Sequence, residues 1–225
     1  MKALFINGGP RKNWSTFKML EQAMKGAADA GAETEMIHLY DVHFNGCISC
    51  LACKLKNSKT NGICAVKDNL RPILEKSHDA DVIVIGSPIY FSNVTGMTRA
   101  FMERLMYPVL SYNPRADEDG NIQMSLLGRT IPNAMIYTMG GTEEAGAAYN
   151  SMIEDNQNFL QMLYGYSEML CSYDTYMLSD YSRYDIMDGV EERRAKHRDE
   201  QFPKDLEAAY DLGKRLVEKA KETQA

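Results

Sequence analysis

Short apolar segments alternate along this chain with longer segments of helical periodicity, and this alternation limits the possible folds more than any other feature. The clearest apolar segment is Asp81 to Gly86 (DVIVIG), an unbroken β-branched run typical of a parallel strand covered on both faces. The five predicted strands are Lys2 to Asn7, Glu33 to Leu39, Asp81 to Gly86, Thr130 to Met139 and Met169 to Met177. Strands that alternate with helices predict βαβ units and a doubly wound α/β fold.

Five further segments have the apolar spacing of amphipathic helices. They are Ser15 to Gly31, Asp68 to His78, Thr95 to Tyr107, Ala145 to Tyr164 and Phe202 to Lys221. The polar segment Tyr112 to Asn121 (YNPRADEDGN) predicts a surface loop or insertion. We expect one domain over residues 1–225, with a cysteine-containing insertion at about 44–67 and a C-terminal helical extension at about 185–225.

Charge and hydropathy exclude several classes of partner. The formal net charge is −6, which disfavours binding to nucleic acid or to an anionic membrane surface, because both depend on clustered Lys and Arg. No segment approaches the ~20 apolar residues of a membrane helix. The apolar run Ala3 to Ile6 is too short for a secretory signal. We therefore expect a cytoplasmic protein that contacts neither nucleic acid nor membrane.

The loop after the first strand has the composition of a phosphate site. It runs Asn7-Gly-Gly-Pro-Arg-Lys-Asn-Trp-Ser-Thr16 and enters a predicted helix, whose free N–H groups and positive end favour an anion. Neither G-x-G-x-x-G nor G-x-x-x-x-G-K-[ST] is present, so a single phosphate monoester fits better than a dinucleotide or a nucleoside triphosphate. An ordinary glycine-rich turn with solvated Arg11 and Lys12 is the alternative.

Two more loops lie at the predicted carboxyl edge of the sheet, where open α/β sheets bind ligands. The segment Gly86 to Gly96 combines Tyr90 and Phe91 with small polar residues, which suits a planar aromatic ligand. The segment Thr138 to Glu144 contains paired glycines that allow backbone to approach such a ligand. Two other site types lack support. A receiver-domain phosphorylation site needs a carboxylate at the end of the third strand, and Gly86-Ser-Pro88 has none. A Ser-His-Asp hydrolase is not supported either, because no G-x-S-x-G occurs and the four histidines lie outside these loops.

Taken in order, these motifs resemble the flavodoxin-like NAD(P)H-dependent FMN reductases. The matching segments are Asn-Gly-Gly-Pro-Arg-Lys-Asn near the start, Ser-Pro-Ile-Tyr-Phe after strand three and Thr-Met-Gly-Gly after strand four. The segment Gly46-Cys-Ile-Ser-Cys-Leu-Ala-Cys53, followed by Cys64 and Lys67-Asp-Asn69, looks like the branch that includes the iron-sulfur flavoproteins. The resemblance covers roughly residues 1 to 180.

The resemblance implies a flavodoxin-like, doubly wound, five-stranded parallel sheet of order 2-1-3-4-5, with helices on both faces and FMN at the switch point. Arg11, Asn13, Ser15 and Thr16 would hold the FMN phosphate. The complete implied FMN-binding set is Gly9, Pro10, Arg11, Asn13, Ser15, Thr16, Pro88, Ile89, Tyr90, Phe91, Asn93, Thr138, Gly140 and Gly141. Gly9 stands where the family usually has serine, so a phosphate-binding hydroxyl is missing. The backbone N–H groups, Ser15 and Thr16 must then contribute more of the phosphate binding.

The implied activity is hydride transfer from NAD(P)H to FMN and then to a small-molecule or protein acceptor, with no protein side chain as an obligatory acid or base. Two alternatives remain open at this point: an electron carrier with FMN and a 4Fe-4S cluster, and a non-enzymatic flavodoxin-like binding module. Family members commonly form dimers or tetramers. The tyrosines proposed for such an interface, or for packing within the chain, are Tyr164, Tyr166, Tyr173, Tyr176, Tyr181 and Tyr184.

Four of the five cysteines, Cys47, Cys50, Cys53 and Cys64, fall within 18 residues. In a reducing compartment, such clustering indicates metal or redox chemistry before disulfides. The C-x2-C-x2-C spacing with a fourth thiol suits a 4Fe-4S cluster, although the gap from Lys54 to Ile63 is longer than usual. Zinc and metal-free thiols are the alternatives. Cys171 lies in a predicted strand and is expected to be an inert core thiol.

Overall fold

The computed structural model describes residues 1–60, 62–116 and 119–224. The strands in this part of the chain are β1 (Lys2–Asn7), β2 (Glu33–His38), β3 (Val82–Tyr90), β4 (Asn93–Val94), β5 (Leu110–Ala116), β6 (Ile122–Ser125), β7 (Asn133–Thr138) and β8 (Ser167–Ser172). The helices are α1 (Ser15–Asp29), α2 (Arg71–Asp79), α3 (Gly96–Met106), α4 (Glu143–Gly146), α5 (Asn150–Tyr164), α6 (Val190–Lys196) and α7 (Phe202–Gln224). None of the described helices is both long and apolar enough to cross a bilayer.

Five strands form one parallel sheet in the order β2-β1-β3-β7-β8. Counted among these five alone, this is the order 2-1-3-4-5, so the predicted flavodoxin-like topology is confirmed. The registers Asn7↔Gly86 and Pro88↔Thr138 bring the carboxyl ends of β1, β3 and β7 side by side. Every residue of β7 is buried, as expected for a central strand covered on both faces.

Two hydrophobic cores flank the sheet because successive strand residues point to opposite faces. On one face Phe5, Val84 and Ile136 pack with α1 and α7. On the other face Ile6, Ile85 and Met135 pack with residues of α2, α3 and α5. The C-terminal helix α7 is therefore part of the core packing rather than an appendage.

Helices α1 and α7 approach so closely that each helix needs a glycine at the point of contact. A Cβ at Gly26 would lie 1.9 Å from the Tyr210 carbonyl oxygen, and one at Gly213 would lie 1.9 Å from the Ala23 carbonyl oxygen. The two backbones thus pack directly against each other. This contact fixes the helix whose first turn faces the predicted phosphate site.

The expected loop at Tyr112 to Asn121 is corrected by the structure. Its described part belongs to an antiparallel hairpin, in which β5 pairs with β6 through Leu110↔Ser125 and Ala116↔Ile122. Asp117 and Glu118 lie outside the described residues. Backbone pairing forms this hairpin while most of its side chains are exposed, so the sequence has no apolar alternation to signal it.

Two other elements differ from their predicted extents. The single helix predicted for Ala145 to Tyr164 is divided into α4, a 3₁₀ turn at Ala147–Tyr149, and α5. The strand predicted for Met169 to Met177 is β8, which ends at Ser172. Beyond it, the backbone turns at Asp174, whose φ is +45° and whose N–H donates to the Gly141 carbonyl (2.7 Å). Residues 173–177 therefore cross the sheet edge instead of extending a strand.

Candidate active site

A cleft opens at the carboxyl edge of β1, β3 and β7, where the three predicted ligand loops meet. We call it the sheet-edge cleft. Its lining residues are Gly9, Pro10, Arg11, Trp14, Ser15, Thr16, Pro88, Ile89, Tyr90, Thr138, Met139, Gly140, Thr175, Tyr176 and Met177. Ten of these belong to the implied FMN-binding set, and they come from segments that lie far apart in the sequence.

One end of the sheet-edge cleft is suited to an anion. No side chain caps the N-terminus of α1, and its first turn contains no acidic residue. The unpaired N–H groups of this turn, together with Arg11 and the Ser15 hydroxyl, provide donors and positive charge in one place. The Thr16 and Thr138 hydroxyl oxygens lie 2.6 Å apart in the buried floor, which joins the first and third loops.

Gly9 lies in a tightly packed part of the sheet-edge cleft. The Gly9 N–H donates to the Asn7 side-chain oxygen (2.9 Å), and a Cβ at Gly9 would lie 3.2 Å from that oxygen and 3.3 Å from Pro88 Cδ. Asn7 in turn contacts His38 Nδ1 through its amide nitrogen (3.0 Å). Burial, with Lys12 nearby, lowers the pKa of His38. A serine side chain would crowd this arrangement.

The wall opposite β3 comes from residues that the sequence analysis assigned to a strand. Thr175 donates its N–H to the Met139 carbonyl (3.0 Å), which brings Thr175, Tyr176 and Met177 against the cleft. The Arg11 guanidinium stacks on Trp14 (4.0 Å to the ring centroid) and donates to the Met177 carbonyl (2.6 Å). These two contacts connect the first loop to the wall formed by Thr175, Tyr176 and Met177.

The second loop forms a tight hairpin between β3 and β4. Tyr90 pairs with Asn93, while Phe91 and Ser92 at the turn have φ of +48° and +63°. Phe91 is fully exposed, at 104% relative accessibility, and lies outside the cleft, as do Asn93, Asn13 and Gly141. Tyr90 is half-exposed and lines the cleft.

The four clustered cysteines line a second, smaller cavity beside α3, which we call the cysteine cavity. Cys47, Cys50, Cys53 and Cys64 all contribute to it, although Cys47 and Cys50 are exposed and Cys64 is buried. Burial raises the pKa of the Cys53 thiol. The fifth cysteine, Cys171, is half-buried in β8, and burial also raises the pKa of its thiol.

In the described ranges, no three Cys, His, Asp or Glu side chains are close enough to hold a single metal ion. A zinc ion draws its thiolates to about 2.3 Å from one point. A four-iron cluster binds each thiolate through a different iron, so its ligands lie farther apart. The four thiols that line this cavity are the donor type that an iron-sulfur cluster binds.

Side chains from α3 and β5 hold the cysteine segment in place. Arg104, buried in α3, donates to the Cys64 sulfur (3.4 Å) and to both carboxylate oxygens of Asp68. Its neighbour Glu103 accepts from the Cys47 N–H (3.2 Å). Lys54 donates to the carbonyls of Tyr107 and Leu110, and its ammonium lies 4.9 Å from the Tyr112 ring centroid. The segment is thus anchored near the first, third and fourth cysteines.

Comparisons with known proteins agree with this architecture. The family model described as NADPH-dependent FMN reductase matches residues 1–164. The chain belongs to this family. The resemblance inferred from the motifs is therefore confirmed.

Among curated proteins, iron-sulfur flavoproteins of Methanocaldococcus jannaschii and Archaeoglobus fulgidus are 38% and 41% identical to this chain over 104 residues. These matches cover 46% of the chain and 51% and 48% of the relatives, so the chain spans about half the length of each. A solved NAD(P)H:quinone oxidoreductase from Methanothermobacter marburgensis superposes with a TM-score of 0.59 at 16% identity, over 96% of this chain and 98% of that one. That likeness shows the shared fold.

The tyrosine-rich segment of this FMN reductase family member packs largely within the chain. Tyr164 is buried and donates to the Leu105 carbonyl (2.8 Å), and burial strongly raises the pKa of its hydroxyl. Tyr181 is buried and accepts from the Met177 N–H (3.1 Å). Tyr166 and Tyr184 remain exposed and available to a partner. Of the six tyrosines, Tyr176 alone lines the cleft.

Sequence reasoning missed five residues of the cleft, namely Trp14, Met139, Thr175, Tyr176 and Met177. Trp14 and Met139 lie within the quoted motifs but were not assigned a role. The other three were assigned to a predicted strand that extended too far toward the C-terminus. The Ser172-Tyr-Asp174 sequence was the available signal, because aspartate favours turns and tolerates the left-handed backbone that Asp174 adopts.

Proposed function

We propose that this protein is an NAD(P)H-dependent FMN oxidoreductase that passes reducing equivalents to a small-molecule or protein acceptor. The observation that carries the proposal is the sheet-edge cleft, which joins an uncapped helix N-terminus to an aromatic and apolar wall at the meeting point of β1, β3 and β7. Membership of the FMN reductase family supports the same cofactor.

The residues of the cleft divide into two groups under this proposal. The α1 N–H groups, Arg11 and Ser15 bind the phosphate, while Thr16 and Thr138 shape the floor. Pro88, Ile89 and Tyr90 face the ring from one side, and the wall at Tyr176 faces it from the other. Bound FMN supplies hydride acceptance from a nicotinamide and release of one or two electrons. These residues bind, orient and exclude water, and no side chain is required as an acid or base.

The cysteine cavity favours a second candidate function, that of an electron carrier with FMN and a 4Fe-4S cluster. Its ligands would be Cys47, Cys50, Cys53 and Cys64, which line one cavity in the described chain. The names of the curated relatives, iron-sulfur flavoproteins, support this proposal. A bound cluster would supply one-electron transfer. The chain's own residues hold the segment through Lys54, Glu103 and Arg104.

We further propose that the protein is cytoplasmic and associates as a homodimer or homotetramer. The sheet-edge cleft has a volume of about 140 Å³, whereas pockets that bury most of a ligand of flavin size measure roughly 300 Å³ or more. Part of the flavin ring would therefore project from a single chain. The half-exposed Tyr90 at the rim supports coverage of that ring by a second copy.

The test uses full-length protein prepared without oxygen. FMN added to flavin-depleted protein should bind at one per chain, and NADPH or NADH should then bleach the flavin absorbance near 450 nm. Riboflavin, which lacks the phosphate, serves as the matched control and should bind at least tenfold more weakly, since a hydrogen bond to a charged group contributes about 1.5–3 kcal/mol. Failure to bind FMN, or equal affinity for riboflavin, would overturn the proposed cleft.

A further inference from the structure

Cys64 is the fourth cysteine of the cluster and follows an unusually long gap, yet it faces the same cavity as the other three. Its side chain is only 8% exposed. Contacts on both sides hold it: the Arg71 side chain donates to the Cys64 carbonyl (3.1 Å), and Arg104 Nε donates to its sulfur (3.4 Å). Side-chain contacts, and not the length of the preceding gap, therefore fix the position of Cys64 at the cavity.

Arg104 is the more connected of the two arginines. It is 2% exposed, and its guanidinium donates to the carbonyl of Asn45 (3.0 Å), the carbonyl of Val66 (3.3 Å) and the carboxylate of Asp68. These acceptors precede the first cysteine and follow the fourth. One planar group thus joins the two ends of the cysteine segment while one of its N–H groups points at a thiol sulfur.

The helix that carries Arg104 also supports the flavin cleft. At the start of α3, the Thr95 hydroxyl donates to the Gly8 carbonyl (2.7 Å), one residue before Gly9 of the cleft. Arg104 lies near the other end of this 11-residue helix, about 16 Å long at 1.5 Å per residue. Helix α3 is therefore a rigid connection between the two proposed cofactor sites.

We propose that Arg104 is a positioning residue that fixes Cys64 at the cysteine cavity and, by hydrogen bonding to its sulfur, sets the redox behaviour of whatever group the four thiols bind. The redox part of this proposal rests on the proposed iron-sulfur function, whereas the positioning part does not. Lysine cannot replace Arg104, because a single ammonium cannot reach Asn45, Val66, Asp68 and Cys64 together.

The first test measures thiol reactivity without any cluster. In FMN-loaded, full-length protein with Cys47, Cys50, Cys53 and Cys171 changed to serine, Cys64 is the single thiol, and its alkylation by iodoacetamide is timed. The rates are compared on the pH-independent plateau, where the thiol is fully ionised in both proteins. Arg104→Lys should accelerate the reaction at least tenfold there, because the residues before Cys47 and after Cys64 are no longer joined through Arg104 and Cys64 becomes accessible. Arg99→Lys, an exposed position on the same helix, should stay within twofold. Equal rates for Arg104→Lys and its parent, with FMN content unchanged, would overturn the positioning role.

The second test measures the cluster midpoint potential in protein with all its cysteines. The double variant Arg104→Met/Asp68→Asn removes one positive and one negative charge, so net charge is conserved while the N–H···S bond is lost. Hydrogen bonds to sulfur favour the reduced cluster. The potential should fall by about 59 mV, a tenfold change in a one-electron equilibrium. An unchanged potential would contradict the redox part, whereas absence of iron from the parent protein would count against the cluster alone and leave the alkylation result to decide on Arg104.

Discussion

The sheet-edge cleft and the cysteine cavity are built in different ways. The cleft is built from strand ends and backbone. Its loops follow β1, β3 and β7, and the wall at residues 173–177 is held by hydrogen bonds to the carbonyls of Met139 and Gly141. The described lining of the cysteine cavity comes from irregular segments and α3, and charged side chains, chiefly Arg104, Glu103 and Lys54, hold it in place. We therefore expect the fold of the cleft to tolerate the loss of one side chain better than the cysteine cavity tolerates the loss of Arg104.

The largest effect is expected from Arg104→Met, which would leave the mostly buried Asp68 carboxylate without its partner. Breaking a buried ion pair costs about 3–5 kcal/mol, and urea denaturation should show a loss of this size in the free energy of unfolding. Arg99→Met, on the exposed side of α3, should change it by less than about 0.5 kcal/mol. Similar values for the two variants would mean that the cavity does not depend on Arg104.

In the cleft, Ser15→Ala should weaken FMN binding by about tenfold or more, because a hydrogen bond to a charged phosphate contributes about 1.5–3 kcal/mol. The free energy of unfolding should change little, since backbone contacts hold the loop. Flavin fluorescence titration measures the affinity. Riboflavin is the internal control, and its affinity should be the same for Ser15→Ala and the parent. A parallel loss for both flavins would place Ser15 away from the phosphate.

A smaller effect is expected at the wall that the sequence did not reveal. Tyr176→Ala should weaken FMN and riboflavin equally, by about fivefold, because aromatic contacts contribute about 0.5–1.5 kcal/mol. Tyr184→Ala is the control, since Tyr184 is an exposed tyrosine outside the cleft. If Tyr176→Ala binds both flavins as the parent does, residues 173–177 do not form the wall of the flavin site.

The last prediction concerns the pH dependence of the Arg104–Asp68 ion pair. A hydrogen bond from Arg104 holds the pKa of Asp68 below its usual range. The pair therefore stabilises the folded chain fully above the ordinary carboxyl pKa of about 4, and this contribution is lost as the pH falls through the lower, folded-state value. The unfolding free energies of the parent and of Asp68→Asn should differ at pH 6, and this difference should shrink as the pH falls below about 4. A constant difference across this range would contradict the assignment.

The same contrast explains what the sequence could predict. The alternation of strands and helices and the three strand-end loops follow from local signals, namely apolar runs and glycine-containing turns, whereas the strand order and the ten cleft residues were implied by the family resemblance of these motifs. The wall at Thr175 to Met177 was missed because Tyr-rich residues after Cys171 have strand propensity, and only the backbone turn at Asp174 ends the strand. That turn is held by a long-range hydrogen bond from the Asp174 N–H to the Gly141 carbonyl.

The cysteine segment shows a stricter limit. Its spacing predicted a shared site for four thiols, but no periodicity connects Cys64 to Arg104, which lies 40 residues further along the chain. In the sequence, Arg104 has the pattern of a solvated charge on an amphipathic helix beside Glu103. Its burial follows from the packing of α3 against the segment, which is a property of the tertiary structure.

We propose a flavin in the sheet-edge cleft and, as the second candidate function, an iron-sulfur cluster at the cysteine cavity, so the most direct measurement is the joint content of FMN, iron and acid-labile sulfide in anaerobically purified, full-length protein. The account predicts one FMN with about four iron and four sulfide per chain. Cys64→Ser should lose iron and sulfide while it retains FMN. Protein that holds FMN but no iron or sulfide under these conditions would contradict the two-site account.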